Sequence, residues 1–363
     1  MKICFFVSQL YKAGGIEKTV YNRLDELSKK HDIYLITMEN GDNPFYFGNF
    51  NNVNHFDINA KFNRYSNGAF RKNFYNIIIS LVSLIKMQFL LFRIKPDISI
   101  NVIGSHSFYF LPFLFFKGIT VLEHHSSFYQ EKPEKIRKNI MKKYDYHIFL
   151  THEEASLINF VKNKIIIPNP VKLESTIIPY HVRKNRVIAA GRIVDIKGFD
   201  RLIKSWSIIQ QKHSDWVLEI YGDSDKNVYK KLNRMINELN LKNKVFLKSS
   251  TPDIVDLISD SKIYAMTSHF ECFPMVLLEA MSKGVVIISF DCPTGPRNIV
   301  NNNDNGFLVI NNDIECFAKK MEEVILDEKM AILISKNAYR DAYNFDLKVI
   351  VSKWNDFFNN AIQ

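Results

Sequence analysis

Short apolar runs alternate with amphipathic stretches along nearly the whole chain. KICFFVSQ reads as a buried strand, and GIEKTVYNRLDELSKK places Val20, Leu24 and Leu27 on one face of a helix. The runs DIYLITM, DISINVI, ITVLEHH, YHIFLT and KIIIPNPV are further short apolar strands. The alternation then restarts. NRVIAAG is a strand ending at Gly191, FDRLIKSWSIIQQKH an amphipathic helix, and WVLEIYG a strand. VYKKLNRMINELN, KVFLKS, DIVDLISD, KIYAMTS, PMVLLEAMSKG and VVIISFD continue the order helix, strand, helix, strand, helix, strand. FAKKMEEVILD and LKVIVSKWNDFFNNAIQ are closing helices. Alternating strands and helices imply parallel sheets covered on both faces. Two such series in tandem predict an α/β chain of two Rossmann-like domains, residues 1–178 and 179–345, followed by a terminal helix over 346–363. The break falls in IIPNPVKLESTIIPYHVRKN, which holds three prolines and little periodicity. There is no internal repeat and no low-complexity tract.

Composition narrows the picture. At 363 residues with 47% hydrophobic and 24% charged, the chain can build two sizeable cores. Its four cysteines, Cys4, Cys272, Cys292 and Cys316, lie far apart, which argues against a zinc site or disulfide framework and fits a reducing cytoplasm. MKICFFVSQLYKAGG lacks a small-residue cleavage site and is expected to be a first strand, not a signal peptide. The net charge is +10. An anionic substrate, an anionic membrane surface and nucleic acid each fit such a charge. From Ile58 to Pro96 there are seven Lys/Arg and no Asp/Glu, interleaved with Phe, Tyr, Ile and Leu, and EKPEKIRKNIMKKY adds a second basic run. Basic residues among aromatics suit a membrane interface. Against this, Ile77–Phe92 reads equally as a buried helix, interrupted by Lys86 and short for a span of ~20 residues. No nucleic-acid motif accompanies the charge.

Open α/β sheets bind ligands beyond the carboxyl ends of their strands, so residues that directly follow strands carry the chemistry. QLYKAGGIEK puts Gly14 and Gly15 at a helix start, where free N–H groups suit an anion or a hydroxyl-rich ligand; an ordinary tight turn has the same look. AAGRIVDIKGFD puts Arg192 and Lys197 on one strand-end loop, a pair suited to a diphosphate. SHFECFPMVLLEAMSKG brackets an apolar helix with Glu271 and Glu279. Pro274 fits its first position and Gly284 lies just past its end. The N–H groups of Phe273, Pro274's neighbour Met275 and Val276 would face a phosphate or sugar hydroxyl, and Glu279 a ribose diol; a solvated helix face is the plainer account of Glu279. FDCPTGPRNIV adds Arg297. ITVLEHHSS ends a strand at His124 and His125, where a histidine either donates to a hydroxyl or serves the core.

Together these motifs resemble the family 4 retaining glycosyltransferases (glycosyl transferases group 1), whose fold is GT-B, two Rossmann-like domains facing across a cleft. The resemblance is most specific from Val187 to Val309, through GRIVDIKGFDRLI, IYGD, ECFPMVLLEAMSKG and ISFDCPTGPRNIVNNNDNGFLV. KPDISI, EHHSS and IIPNPV extend it more loosely over the first half. It implies an acceptor domain followed by a nucleotide-sugar domain, with the last helix returning to the first. It implies hexosyl transfer from a nucleotide donor, commonly UDP, to a saccharide acceptor, here a lipid-linked oligosaccharide for capsule, O-antigen or exopolysaccharide. It further implies no metal cofactor, no nucleic-acid partner, and a peripheral place on the inner face of the plasma membrane. Arg192 and Lys197 would hold the diphosphate, Glu271 and the backbone at Phe273, Pro274 and Met275 the donor sugar, and Glu279 the ribose. Gly14, Gly15, Gly222 and Arg297 would join the donor site, and His124 would contact the sugar. Catalytic roles fall on Glu271, Arg192, Lys197 and His124. Cys272 stands where the family has glycine, Asn298 where it often has glutamate, and Val286 where proline is common. A UDP-sugar epimerase of the same fold and a non-catalytic GT-B binding subunit are the competing functions. A phosphorylase would be longer and would carry a pyridoxal lysine.

Overall fold

The structure is a computed structural model. It describes every residue except 13, 62–68, 103–105 and 130–132, with the backbone alone for 69–74 and 106. Arg64, Glu131 and Lys132 of the two basic stretches therefore lie outside the described residues. The chain divides into two compact units, Met1–Pro170 with Leu347–Gln363, and Val171–Asp346.

The first unit runs β1 (Lys2–Val7), α1 (Gly15–Leu27), β2 (Asp32–Thr37), β3 (Val53–Asp57), α2 (Ala69–Ile94), β4 (Ile98–Val102), β5 (Ile119–Glu123), α3 (Lys135–Met141), β6 (Tyr146–Phe149), α4 (His152–Leu157) and β7 (Lys164–Ile166). Its seven strands are parallel, in the order β3-β2-β1-β4-β5-β6-β7. The second unit runs β8 (Lys184–Ala190), α5 (Phe199–Ile209), β9 (Val217–Tyr221), α6 (Lys226–Glu238), β10 (Val245–Lys248), α7 (Ile254–Ser259), β11 (Ser261–Met266), α8 (Met275–Ser282), β12 (Val286–Phe290), β13 (Phe307–Val309), α9 (Ile314–Leu326) and α10 (Glu328–Ala342). Its six strands are also parallel, in the order β10-β9-β8-β11-β12-β13. Each sheet thus reverses its strand order once, between β1 and β4 and between β8 and β11. α11 (Leu347–Ile362) belongs to the first unit.

Strand burial explains the fully apolar runs. Residues pointing to opposite faces of the first sheet enter separate cores: Ile3, Phe5, Ile33 and Ile100 pack with α1 and α11, while Cys4, Phe6, Ile36 and Leu122 pack with α2. On α11 the residues Ile350, Val351, Trp354, Phe357 and Phe358 are buried, the spacing of one helix face. The unit boundary lies at Pro170–Val171 because Val171 already belongs to the second unit, donating its N–H to Phe345 O at 2.8 Å.

The pattern of polarity alone misses β3, α3, α4, β13 and α10. β3 is an edge strand, VNHFD, with Asn54 and His55 exposed, and β13 has three residues. α10 buries mainly small residues, Ala331, Ser335, Ala338 and Ala342, so its apolar stripe is faint. α2 departs furthest from expectation. It is 26 residues long, and it carries apolar residues on its outward face as well as its inward one.

Candidate functional site

The second unit builds its site from three loops that leave adjacent strands. After β8, Gly191 takes φ +152°, and a tight turn over Asp195–Lys197 closes on Gly198 at φ +61°, conformations open to glycine. The turn ends at Lys197, whose aliphatic stem lies across Gly191: a Cβ there would stand 3.3 Å from Lys197 Cε. Gly222 at the end of β9 abuts the Gly191 carbonyl so closely that any Cβ would collide with it. Glycine at 222 is thus set by packing between strand ends.

Backbone bonds then stitch the loops together. The loop after β11 is tied to the loop after β8 by His269 N–H to Ile196 O at 2.8 Å and Thr267 Oγ1 to Gly198 O at 2.9 Å. It is tied to the loop after β12 by Glu271 N–H to Pro293 O at 2.8 Å and by Thr294 and Gly295 N–H to Glu271 O at 2.6 and 2.8 Å. Glu271 is therefore pinned at its backbone on both sides.

Its side chain is pinned as well. Lys197 Nζ donates to Glu271 Oε1 at 2.6 Å, and Ser268 Oγ donates to the same oxygen at 2.7 Å. Lys197 follows β8 and Glu271 follows β11, the two strands at which this sheet reverses order. That is the position where open α/β sheets place ligands. Arg192, on the same loop as Lys197, is exposed, and its guanidinium has no partner among the described residues. Arg297 is turned back on its own loop, its Nε donating to Asp291 Oδ1 at 2.8 Å.

α8 begins at Met275 with Pro274 as its N-cap, and Gly284 follows it at φ +61°. Phe273 is buried, its ring 5.9 Å from that of Phe345. Glu279 is only 8% exposed, so a solvated helix face does not describe it. Tyr264 on β11 reports on both glutamates. Burial raises its hydroxyl pKa, hydrogen bonding to Ala190 opposes this, and the charges of Glu279 and Glu271 add to the rise. Both carboxylates thus lie within electrostatic range of Tyr264. Burial pushes the nearby Cys292 thiol up to about 12, with Glu271 adding to it, which keeps the sulfur protonated and unreactive. Among the described residues no group of three or more His, Cys, Asp or Glu is placed to hold a metal ion.

The first unit holds the remaining predicted residues. Gly14 is the N-cap of α1. A Cβ at Gly14 would meet the Glu17 carboxylate, whose Oε1 accepts from Gln9 Nε2 at 2.8 Å. An acidic group already faces this helix start beside Gly14 and Gly15, so an incoming anion would meet repulsion there. His124 does not stand ready for a ligand. It is 4% exposed, stacked on Phe149 at 4.2 Å, with its Nε2 3.1 Å from His147 Nδ1. Burial first, then His147, holds its pKa well below the ordinary histidine value. The strand alternation that buries Leu122 beside α2 sends His124 to the same face. His125 goes to the other face, with Nε2 2.9 Å from Glu123 Oε1. Arg23 of α1 grips the same carboxylate at 2.5 and 2.7 Å, in a pair that is fully buried. Burial alone would raise the Glu123 pKa, but Arg23 and His125 outweigh it and hold the group ionised. Sequence reading named His125 but missed Ser268, Tyr264, Asp291 and the Arg23–Glu123 pair that His125 joins. Ser268, the last residue of KIYAMTS, gave a local signal because it follows a strand.

Residues 176–341 match the model for glycosyl transferases group 1. An uncharacterized glycosyltransferase of Haemophilus influenzae is 27% identical over 97% of this chain and 98% of its own. The lipopolysaccharide 1,6-galactosyltransferase of Salmonella typhimurium is 30% identical, over 45% of this chain and 46% of its own. The crystal structure of Anabaena HepE in complex with UDP-glucose superposes over 99% of this chain and 100% of that one, with a TM-score of 0.78 at 17% identity. Residues 176–341 carry a glycosyl transferases group 1 domain, and the chain, two α/β units each built on a parallel sheet, has the GT-B fold along its length and is a glycosyltransferase by that domain.

Proposed function

We propose that this enzyme moves a hexose from a UDP-sugar to a saccharide acceptor with retention at the anomeric carbon, as family 4 enzymes do. The acceptor is a lipid-linked oligosaccharide of a cell-surface polysaccharide, met at the cytoplasmic face of the plasma membrane. The Lys197–Glu271 pair at the strand-order reversal is the observation that carries this. The UDP-glucose complex of HepE and the lipopolysaccharide acceptor in the name of the Salmonella relative support the donor and acceptor classes.

In this proposal Arg192 and Lys197 bind the diphosphate. The C1–O bond to UDP breaks with its electron pair passing to the diphosphate, whose growing charge the two cations stabilise without a metal. The acceptor oxygen bonds to C1 from the side UDP leaves, and its proton departs to a diphosphate oxygen or a carboxylate. Glu271 accepts from sugar hydroxyls once Lys197 turns to the diphosphate. The backbone of Phe273, Pro274 and Met275 lines the sugar, Glu279 takes the ribose diol, and Gly222 keeps the strand ends close. Arg297 acts from the edge through Asp291.

Calorimetry of UDP, GDP and ADP with EDTA present tests the donor. UDP is expected to bind best, and Lys197→Ala to weaken it at least about tenfold. Failure of every nucleotide to bind overturns the proposal. Conversion of a UDP-sugar with no acceptor present would mark an epimerase instead.

A further inference from the structure

We propose that the outward face of α2, with the aromatic loop at Phe113 and Phe115, inserts into an anionic phospholipid bilayer and seats the enzyme flat on it. This rests on the reading that the enzyme works at a membrane and names the surface that makes contact.

α2 carries a twenty-residue apolar stretch, Tyr75–Ile94, long and apolar enough to cross a membrane by length and composition. It does not cross one here. It joins β3 to β4, two parallel strands of one sheet, and its inward residues Met87, Leu91 and Ile94 are buried against Cys4, Phe6, Ile36 and Met38. The opposite face is exposed yet apolar. Ile78, Leu81, Val82, Ile85, Phe89 and Phe92 recur at helical spacing, and the last three are 66, 65 and 59% exposed. An ordinary surface helix is polar there.

A second element extends the patch. Gln88 of α2 exchanges two hydrogen bonds with the backbone of Phe115, each 2.8 Å. This holds Phe115, 78% exposed, and the exposed Phe113 beside the stripe. A cavity of about 570 Å³, lined by Leu91, Phe92, Lys95, Phe116 and Lys117, continues it at the end of α2.

Charge selects the occupant. Arg93, Lys95 and Lys117 are exposed where the stripe ends, beside a single carboxylate, Asp97, that accepts from Lys2 N–H at 2.8 Å, and Ile58–Pro96 has no Asp or Glu, on a chain of +10. A face between two copies of this chain would bring like charges together. Anionic headgroups match the rim and acyl chains match the stripe.

All three native tryptophans, Trp206, Trp216 and Trp354, are buried, so a reporter on the stripe is read against a constant background. Phe89→Trp in the full chain is mixed with vesicles of phosphatidylcholine, with or without phosphatidylglycerol. A blue shift and quenching by brominated acyl chains, with phosphatidylglycerol present and persisting at high salt, is the expected result. The variant Ile85→Gln/Phe89→Gln/Phe115→Gln is expected to lose vesicle affinity at least about tenfold, with UDP binding unchanged. Vesicle binding that quenches nothing and vanishes in salt would mean charge alone and overturn the insertion. Concentration-dependent dimers abolished by the triple variant would overturn it in favour of a second copy. Failure of the wild type to bind UDP would count against the proposed function only, since vesicle binding is read independently.

Discussion

Glu271 and Lys197 hold each other in place before any ligand arrives. A lysine alone at a strand end is a mobile point charge, whereas one bonded to a pinned carboxylate is preorganised. The two partners have separable tasks in the proposed reaction. Lys197→Ala should lower transfer by about 10²–10³-fold and weaken UDP. Glu271→Gln should lower transfer by about a hundredfold while leaving UDP affinity unchanged or tighter, because it frees the ammonium. Equal losses of UDP affinity in both variants would refute the division of labour. The buried histidines make a different prediction. Burial, with smaller effects from neighbours, holds His124 well below its usual value and lowers His147 to about 4. Unfolded, both bind a proton near pH 6.5. Their contribution to stability is therefore complete above that pH and lost as pH falls toward 4. Between pH 7 and 5 His147 should remove about 2 kcal/mol of folding free energy, and His124 acts in the same direction. Urea midpoints at the two values test this, with His147→Gln expected to flatten the decline. No decline in the wild type would show that neither ring is held neutral in the fold.

α8 shows how an element is held where a site needs it. With only eight residues it has little helical stability of its own. Backbone bonds anchor the loop before it, and a buried arginine secures its end: Arg183 donates to Gly284 O at 2.7 Å and Lys283 O at 2.8 Å. Burial lowers the Arg183 pKa to about 10, still far above neutrality, so these bonds keep their charge. Arg183→Met should destabilise the second unit by about 3 kcal/mol by orphaning those carbonyls, read as a fall in its thermal midpoint. Gly222→Ala should do similar harm at the ends of β8 and β9, and its effect on UDP binding should exceed that of an exposed substitution on α6.

For the whole molecule the chain's path matters. The first unit is discontinuous: its core is completed by α11, added after the second unit has been made. Trp354 sits over Arg23 at 4.4 Å, on the buried Arg23–Glu123 pair. Trp354→Ala should cost about 3–5 kcal/mol and should lower the first unit's unfolding transition selectively. Truncation before Leu347 should leave that unit aggregating. If both units shifted equally, α11 would not be specific to the first.

The residues alone indicated two α/β units built on parallel sheets and pointed to candidate residues after β8, β11 and β12, while the return of the last helix was implied by the family resemblance. Periodicity and the position of Gly and Pro after strands are local properties, legible without coordinates. Glu279 was ambiguous because a carboxylate on a short helix reads as solvated until the helix is seen to be enclosed. Tertiary structure alone decided which way His124 and His125 point, since strand direction gives opposite faces but not which face is which. It alone joined Arg23 to Glu123 across the sequence. It also decided that α2 hides one apolar face and shows another. Composition gives a helix its total hydrophobicity, but only packing against a sheet determines how much of it is left outside.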